Sequence, residues 1–211
     1  MNFNRDGLQG FDLRGKTIGV IGCGNIGKNV IAISKGFGMN ISAFDAYPDH
    51  EHAKQMGYTF KNTIEEVLSE SDVITLHVPY LPSTKHLINK ESITHIKKGA
   101  ILINTARGAL VETSALMEAL ESGILSGAGL DVLEGEHDTY DRIRFMAKNP
   151  NNPEELQTIL RNHMLVSRDD VIITPHNAYN SKEAVEKIFA TTLENIQAFL
   201  DSNPKNVVTQ K

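Results

Sequence analysis

The sequence predicts a doubly wound α/β fold, a parallel sheet with helices on both faces. Short apolar runs alternate with amphipathic helical patterns along the chain. The runs are rich in β-branched residues and lack polar alternation, as strands do when both their faces are buried. A glycine-rich turn, Gly22-Cys23-Gly24-Asn25-Ile26-Gly27, follows the first run.

The elements follow in order. Thr17 to Ile21 (TIGVI) is expected to be the first strand. Asn25 to Phe37 is expected to be a helix, with Ile26, Val30, Ile33 and Phe37 on one face. Further strands are expected at Ile41 to Asp45, Val73 to His77, Ala100 to Asn104, Gly127 to Val132 and Val171 to Thr174. Helices are expected near His50 to Met56, Ile64 to Leu68, Lys90 to Ile96 and Ser114 to Ser122, with Gly123 placed to end the last. The polar stretch 137–170, containing NPNNPEEL, breaks the rhythm and is expected to form one or two short surface helices. A long amphipathic helix runs from Lys182 to Leu200, with Val185, Ile188, Phe189, Leu193, Ile196, Phe199 and Leu200 as its apolar positions. The expected organisation is a connecting arm over 1–14, a cofactor domain over 15–180 with its insert at 137–170, and a C-terminal helix and tail over 181–211.

Composition narrows the class. The chain has 211 residues, 40% apolar and 22% charged, with a net charge of −5. That is ordinary for a soluble globular protein and offers no basic face to nucleic acid or an anionic membrane. The single cysteine, Cys23, cannot form an internal disulfide, and no cysteine cluster exists to hold zinc. No run approaches the roughly 20 apolar residues of a membrane span, and the first residues lack a secretory apolar core. The expectation is a soluble, cytoplasmic protein without a bound metal.

The glycine turn sits between a predicted strand and a predicted helix, the context in which this pattern binds a dinucleotide. Gly22 permits the tight turn, Gly24 lets a pyrophosphate approach the backbone, and Gly27 lets the helix pack on the strand. The fold expected is therefore of the Rossmann type, a single cofactor domain with a C-terminal helix. Asp45 closes the second strand at the distance where a carboxylate accepts hydrogen bonds from the adenosine ribose and repels the extra phosphate of NADP.

Three later segments put a polar group at a strand end. They are NTARG with Arg107, LDVLEGE with Glu136, and TPHNA with His176. In an open parallel sheet the ligand crevice lies beyond the carboxyl ends of the strands, so these residues are candidates to converge. His77 is read as a strand-end residue near the adenine edge, not as catalytic. His86, His95, His137 and His163 have no evident partner.

The motifs LRGKTIGVIGCGNIG, LHVPYLPST, NTARG, LDVLEGE and ITPHNAY occur in one order over about residues 12 to 200. With them the chain resembles the cofactor half of the D-isomer-specific 2-hydroxyacid dehydrogenases, of the D-lactate dehydrogenase kind. The resemblance implies that Arg107 holds the substrate carboxylate and keto oxygen. It implies that His176 exchanges the proton and that Glu136 pairs with His176 and favours its protonated form. It places Gly22, Gly24, Asn25, Ile26, Gly27, Asp45, Val78, Pro79, Thr84, Thr105, Ala106, Arg107 and Asp131 around NAD. It also implies a 2-keto or 2-hydroxy acid substrate and a homodimer.

The chemistry agrees with those roles. Reducing a 2-keto acid needs a hydride, which a nicotinamide carries and a side chain does not. It needs a proton, which histidine delivers near neutral pH, the more readily beside a carboxylate. A guanidinium matches a carboxylate with two parallel hydrogen bonds. In the family a substrate-side domain precedes the matching segment, whereas only the short arm does so here. The expectation is a cofactor domain weakly active or inactive alone. The alternative is a stand-alone NAD-sensing dimerisation module, akin to a corepressor, although retention of Arg107, Glu136 and His176 argues against a purely binding role.

Overall fold

The computed structural model describes residues 10–135 and 153–208. They fall into two compact units, Met1–Ile173 and Thr174–Lys211.

The first unit is built on a seven-stranded sheet with the order β3-β2-β1-β4-β5-β6-β7, and every pairing is parallel. The strands are β1 (Thr17–Ile21), β2 (Asn40–Phe44), β3 (Thr59–Phe60), β4 (Val73–Leu76), β5 (Ala100–Asn104), β6 (Leu125–Leu130) and β7 (Val171–Ile173). The helices between them are α1 (Asn25–Gly36), α2 (His50–Met56), α3 (Ile64–Glu70), α4 (Thr113–Glu121) and α5 (Pro153–Val166). The predicted helix near 90–96 is a 3-10 turn over Ser92–His95, and a second 3-10 turn spans Gly108–Leu110. The two-residue β3 escaped the sequence reading because it is too short to carry a period. The predicted strand at 127–132 begins two residues earlier, since Leu125 pairs with Ala100.

Strand β1 shows why the sheet holds. Ile18 and Val20 belong to one apolar cluster, and Ile21 belongs to the other. Successive side chains leave a strand on opposite faces, so β1 is buried from both sides. Val20 and Ile21 are fully buried, and each such side chain contributes roughly 1.5–3 kcal/mol. The larger cluster joins Ile74, Leu76 and Leu102 to Leu116 and Leu120 of α4. The smaller joins Val20 and Ala43 to Ile31 of α1 and to Tyr58.

Helix α1 buries a face other than the one its apolar pattern suggested. Gly27, Ile31 and Ser34 face inward, whereas Ile26, Ile33 and Phe37 are exposed. The reason is close approach at Gly27, where a Cβ would lie 2.1 Å from the Gly22 oxygen, which turns the 27-31-34 stripe towards the sheet. Helix α2 is capped by Asp49, which accepts from the His52 N–H, and α3 by Thr63, which accepts from the Glu66 N–H. Helix α4 ends at Glu121 with Ser122 as its C-cap, and Gly123 follows with φ +70°.

Residues 137–152 of the predicted insert lie outside the described residues. Within the rest, α5 runs for 14 residues, longer than a short surface helix, and buries Ile159, Asn162 and Leu165.

The second unit contains α6 (Lys182–Leu200), with the predicted bounds. Ser181 caps it by accepting from the Ala184 N–H. Ile188, Phe189, Leu193, Ile196, Phe199 and Leu200 are all exposed.

Candidate cofactor-binding site

The strand order turns in both directions from β1, whose neighbours are β2 and β4. Such a switch point opens a crevice at the carboxyl ends of the strands. The glycine turn fills it with backbone. Gly22 has φ +94°, and a Cβ there would lie 2.7 Å from the His77 carbonyl carbon and 2.8 Å from the Val78 nitrogen. A Cβ at Gly27 would lie 2.1 Å from the Gly22 oxygen. Only glycine lets the start of α1 and the ends of β1 and β4 come this close.

Gly24 differs, because a Cβ there would meet nothing within 4 Å. It is the N-cap of α1 and has no side-chain capping bond. Among the described residues no acceptor engages the N–H groups of Gly24, Asn25 or Ile26. Unpaired N–H groups at the positive end of a helix, with open space before them, suit a pyrophosphate. The residues present therefore fit a dinucleotide.

Asp45 stands one residue beyond β2. Its Oδ2 accepts from the Cys23 N–H at 2.6 Å and its Oδ1 from the Tyr47 N–H at 2.8 Å. These bonds aim the carboxylate along the turn and leave lone pairs for ribose hydroxyls. Cys23 itself is buried, and burial, with the nearby Asp45 against the opposing Lys28, pushes its pKa up to about 12. Its thiol is protonated and serves packing.

A cleft of about 690 Å³ lies beside this turn, and Ile26, Val78, Pro79, Thr105, Ala106 and Arg107 all line it. His77, Leu133 and Gly135 line it too. The His77 Nε2 is 3.0 Å from Thr75 Oγ1, and burial lowers its pKa, so the ring is neutral at neutral pH. The structure thus sets His77 in the same cleft as Arg107.

Arg107 is held from behind by Asn104, which is 1% exposed. Asn104 accepts from the Ala106 N–H at 3.0 Å and donates to the Arg107 carbonyl at 2.9 Å. The guanidinium is exposed, with Nη1 donating to the Ala106 carbonyl at 2.6 Å. Among the described residues no acceptor engages the rest of its fork of donors, which suits a planar anion. Thr84 closes the loop after β4, accepting from the Leu81 N–H at 2.8 Å and donating to the Pro79 carbonyl at 2.7 Å. Asp131 is buried at the end of β6, where its N–H donates to the Asn104 carbonyl at 2.9 Å.

Sequence reasoning missed one cluster. His86, read as lacking a partner, pairs through Nε2 with Glu134 Oε1 at 2.5 Å. Glu134 Oε2 accepts from the Thr113 N–H at 3.1 Å and hydroxyl at 2.9 Å. The two residues are 48 apart in the chain, so no local pattern announced them. Burial opposes ionisation of Glu134, but Thr113 and His86 outweigh it and hold its pKa below the usual 4.5. A depressed carboxylate stabilises the fold above its unfolded pKa and loses that contribution as pH falls through its folded value. The melting-temperature advantage of the wild type over Glu134→Gln is therefore expected at neutral pH and should shrink below pH 4.5. An advantage that grows on acidification would contradict this sign.

Glu136 lies outside the described residues. His176 belongs to the second unit, where its φ is +51° and its N–H donates to the Thr174 carbonyl at 3.0 Å. Among the described residues no group of three or more potential ligands forms a metal site, and no helix is long and apolar enough to cross a membrane.

A parallel sheet with a glycine turn at its switch point, an uncapped helix start and a strand-end carboxylate define a dinucleotide-binding domain. The particular kind is shown by comparison with known proteins. The chain belongs to the family of D-isomer specific 2-hydroxyacid dehydrogenase NAD-binding domains, whose model matches residues 1–178. It is 38% identical to the glycerate dehydrogenase of Methylorubrum extorquens over 198 residues, which is 94% of this chain and 54% of that protein. It is 38% identical to the D-lactate dehydrogenase of Escherichia coli over 195 residues, covering 92% of this chain and 56% of that one. Its structure superposes on the D-lactate dehydrogenase of Aquifex aeolicus, solved with NAD and lactic acid, with a TM-score of 0.82 and 38% identity over 96% of this chain and 59% of that one. The chain thus spans about half the length of the curated relatives it matches.

Proposed function

We propose that this chain is the cofactor-binding part of an enzyme that interconverts D-2-hydroxy acids and 2-keto acids. The observation that carries this is the cleft itself, where the start of α1, through Ile26, and Arg107 line one space. The helix start would hold a dinucleotide, and Arg107 in the same cleft is a group suited to a carboxylate.

Bound NAD supplies or removes the hydride. Gly24, Asn25 and Ile26 present N–H groups to the pyrophosphate, and Asp45 accepts from the adenosine ribose. Arg107 holds the substrate carboxylate and polarises the keto oxygen. His176 gives the proton to that oxygen in reduction and takes it back in oxidation. Glu136 would, as the family's motif implies, favour the charged form of His176. These last three roles rest on the match of the motifs to the family.

Two copies associate, on this reading, because the apolar residues of α6 are too exposed for an isolated chain; sedimentation of a monomer at working concentration would count against it. One buried thiol suits a reducing, cytoplasmic setting. The relatives named above are dehydrogenases, and nothing in those names favours a cofactor-sensing corepressor.

The test is a fluorescence titration with NADH and NADPH, followed by pyruvate and the absorbance of the bound nicotinamide. NADH is expected to bind at least roughly tenfold more tightly than NADPH, because a second anion beside Asp45 is repelled. Asp45→Ala is expected to erase most of that difference. Failure to bind NADH would overturn the assignment, and unchanged discrimination in Asp45→Ala would remove the role of Asp45.

A further inference from the structure

We propose that Glu134, paired with His86, is a positioning residue for Arg107. The proposal rests on the reading of Arg107 as the group that meets the substrate carboxylate. Gly108, the next residue, is pressed onto the Leu133–Glu134 peptide. A Cβ there would lie 2.1 Å from the Leu133 carbonyl carbon and oxygen and 2.5 Å from the Glu134 nitrogen. Wherever that peptide sits, the residue after Arg107 must follow.

The Glu134 side chain determines where the peptide sits. Leu133 and Gly135 line the cofactor cleft, whereas Glu134 lines a neighbouring cleft with His86 and Ser114. There it binds His86 on one oxygen and Thr113, at the start of α4, on the other. Asn162 of α5 donates to the Glu134 carbonyl at 2.8 Å. His86 closes the circuit, because its own N–H donates to the carbonyl of Ala109 at 2.9 Å. It does so with φ +50°, a conformation a non-glycine residue keeps only where its surroundings impose it. Arg107 thus stands between Asn104 behind it and the Glu134–His86 circuit ahead of it. The bonds are charge-assisted, and the two side chains are partly buried, at 31% and 20% exposed, so the circuit resists displacement.

The test applies hydrogen exchange and ligand titration to the 211-residue chain and its Glu134→Gln, His86→Gln and double variants. Glutamine at 134 keeps the size and an acceptor for Thr113 but offers His86 no charge. Exchange over residues 106–111 is expected to quicken about tenfold or more in each single variant, with residues 22–30 unaffected. The double variant should be no faster than the singles, because both break the same pair. With NADH bound, affinity for the pyruvate analogue oxamate should fall roughly tenfold, while affinity for NADH stays within about twofold.

Unchanged exchange at 106–111 overturns the proposal. So does a uniform rise across the chain, or an equal loss of NADH affinity, since either marks a pair that merely stabilises the fold. Arg107→Gln separates this outcome from the reading beneath it. If oxamate fails to bind the wild type, or binds Arg107→Gln as well as the wild type, the carboxylate role of Arg107 falls. The exchange result still decides whether Glu134 holds the turn.

Discussion

Gly27→Ala is expected to weaken NADH binding by roughly 100-fold, as read by fluorescence titration. The added methyl carbon would lie 2.1 Å from the Gly22 oxygen, well inside contact distance. The obstacle is backbone, so no side chain can swing aside. Either α1 moves off the sheet or the turn opens, and both displace the N–H groups of Gly24, Asn25 and Ile26 from the pyrophosphate. Overpacking of this kind costs about 1–3 kcal/mol, and the upper end corresponds to the loss stated. The melting temperature should fall by about 6–12 °C, because each kcal/mol is worth about 2–4 °C in a chain of this size. Wild-type affinity in Gly27→Ala would mean that the turn does not carry the cofactor. Gly24→Ala is the internal control: its methyl meets nothing in the protein, so its folding should be unchanged and only the ligand would feel it.

Arg107→Gln is expected to leave NADH affinity within about twofold and to lower the affinity of the NADH complex for oxamate by roughly 100-fold. The separation follows from the geometry. The proposed pyrophosphate seat is the β1–α1 turn, whereas Arg107 follows β5. Arg107→Lys should recover little, because a single ammonium does not present two parallel donors to a carboxylate. Backbone support for the turn would survive both changes, since Asn104 binds the Arg107 carbonyl and the Ala106 N–H and not the side chain. Equal oxamate binding in Arg107→Gln and wild type would remove the carboxylate role.

Much of this architecture was legible in the residues. Thr17–Ile21, Ala100–Asn104 and Lys182–Leu200 fall where their patterns placed them. Short, doubly apolar strands announce a covered parallel sheet, and glycine spacing announces backbone contact. Six of the expected cofactor-site residues, Ile26, Val78, Pro79, Thr105, Ala106 and Arg107, line one cleft. The motif positions them at strand ends, and strand ends in a parallel sheet share one edge.

Other features were settled by packing alone. The apolar face of α1 over Ile26, Ile33 and Phe37 turned outward because the close contact at Gly27 governs how the helix lies. His77 read as a strand-end residue, yet it borders the same cleft as Arg107. The His86–Glu134 pair spans 48 residues and joins loops that no periodicity connects. Local order is written in neighbouring residues, through propensity, spacing and the special backbone of glycine. Which distant side chains meet depends on how the sheet and helices pack, so the glycine turn could be read along the chain, and the His86–Glu134 circuit emerged only from the folded structure.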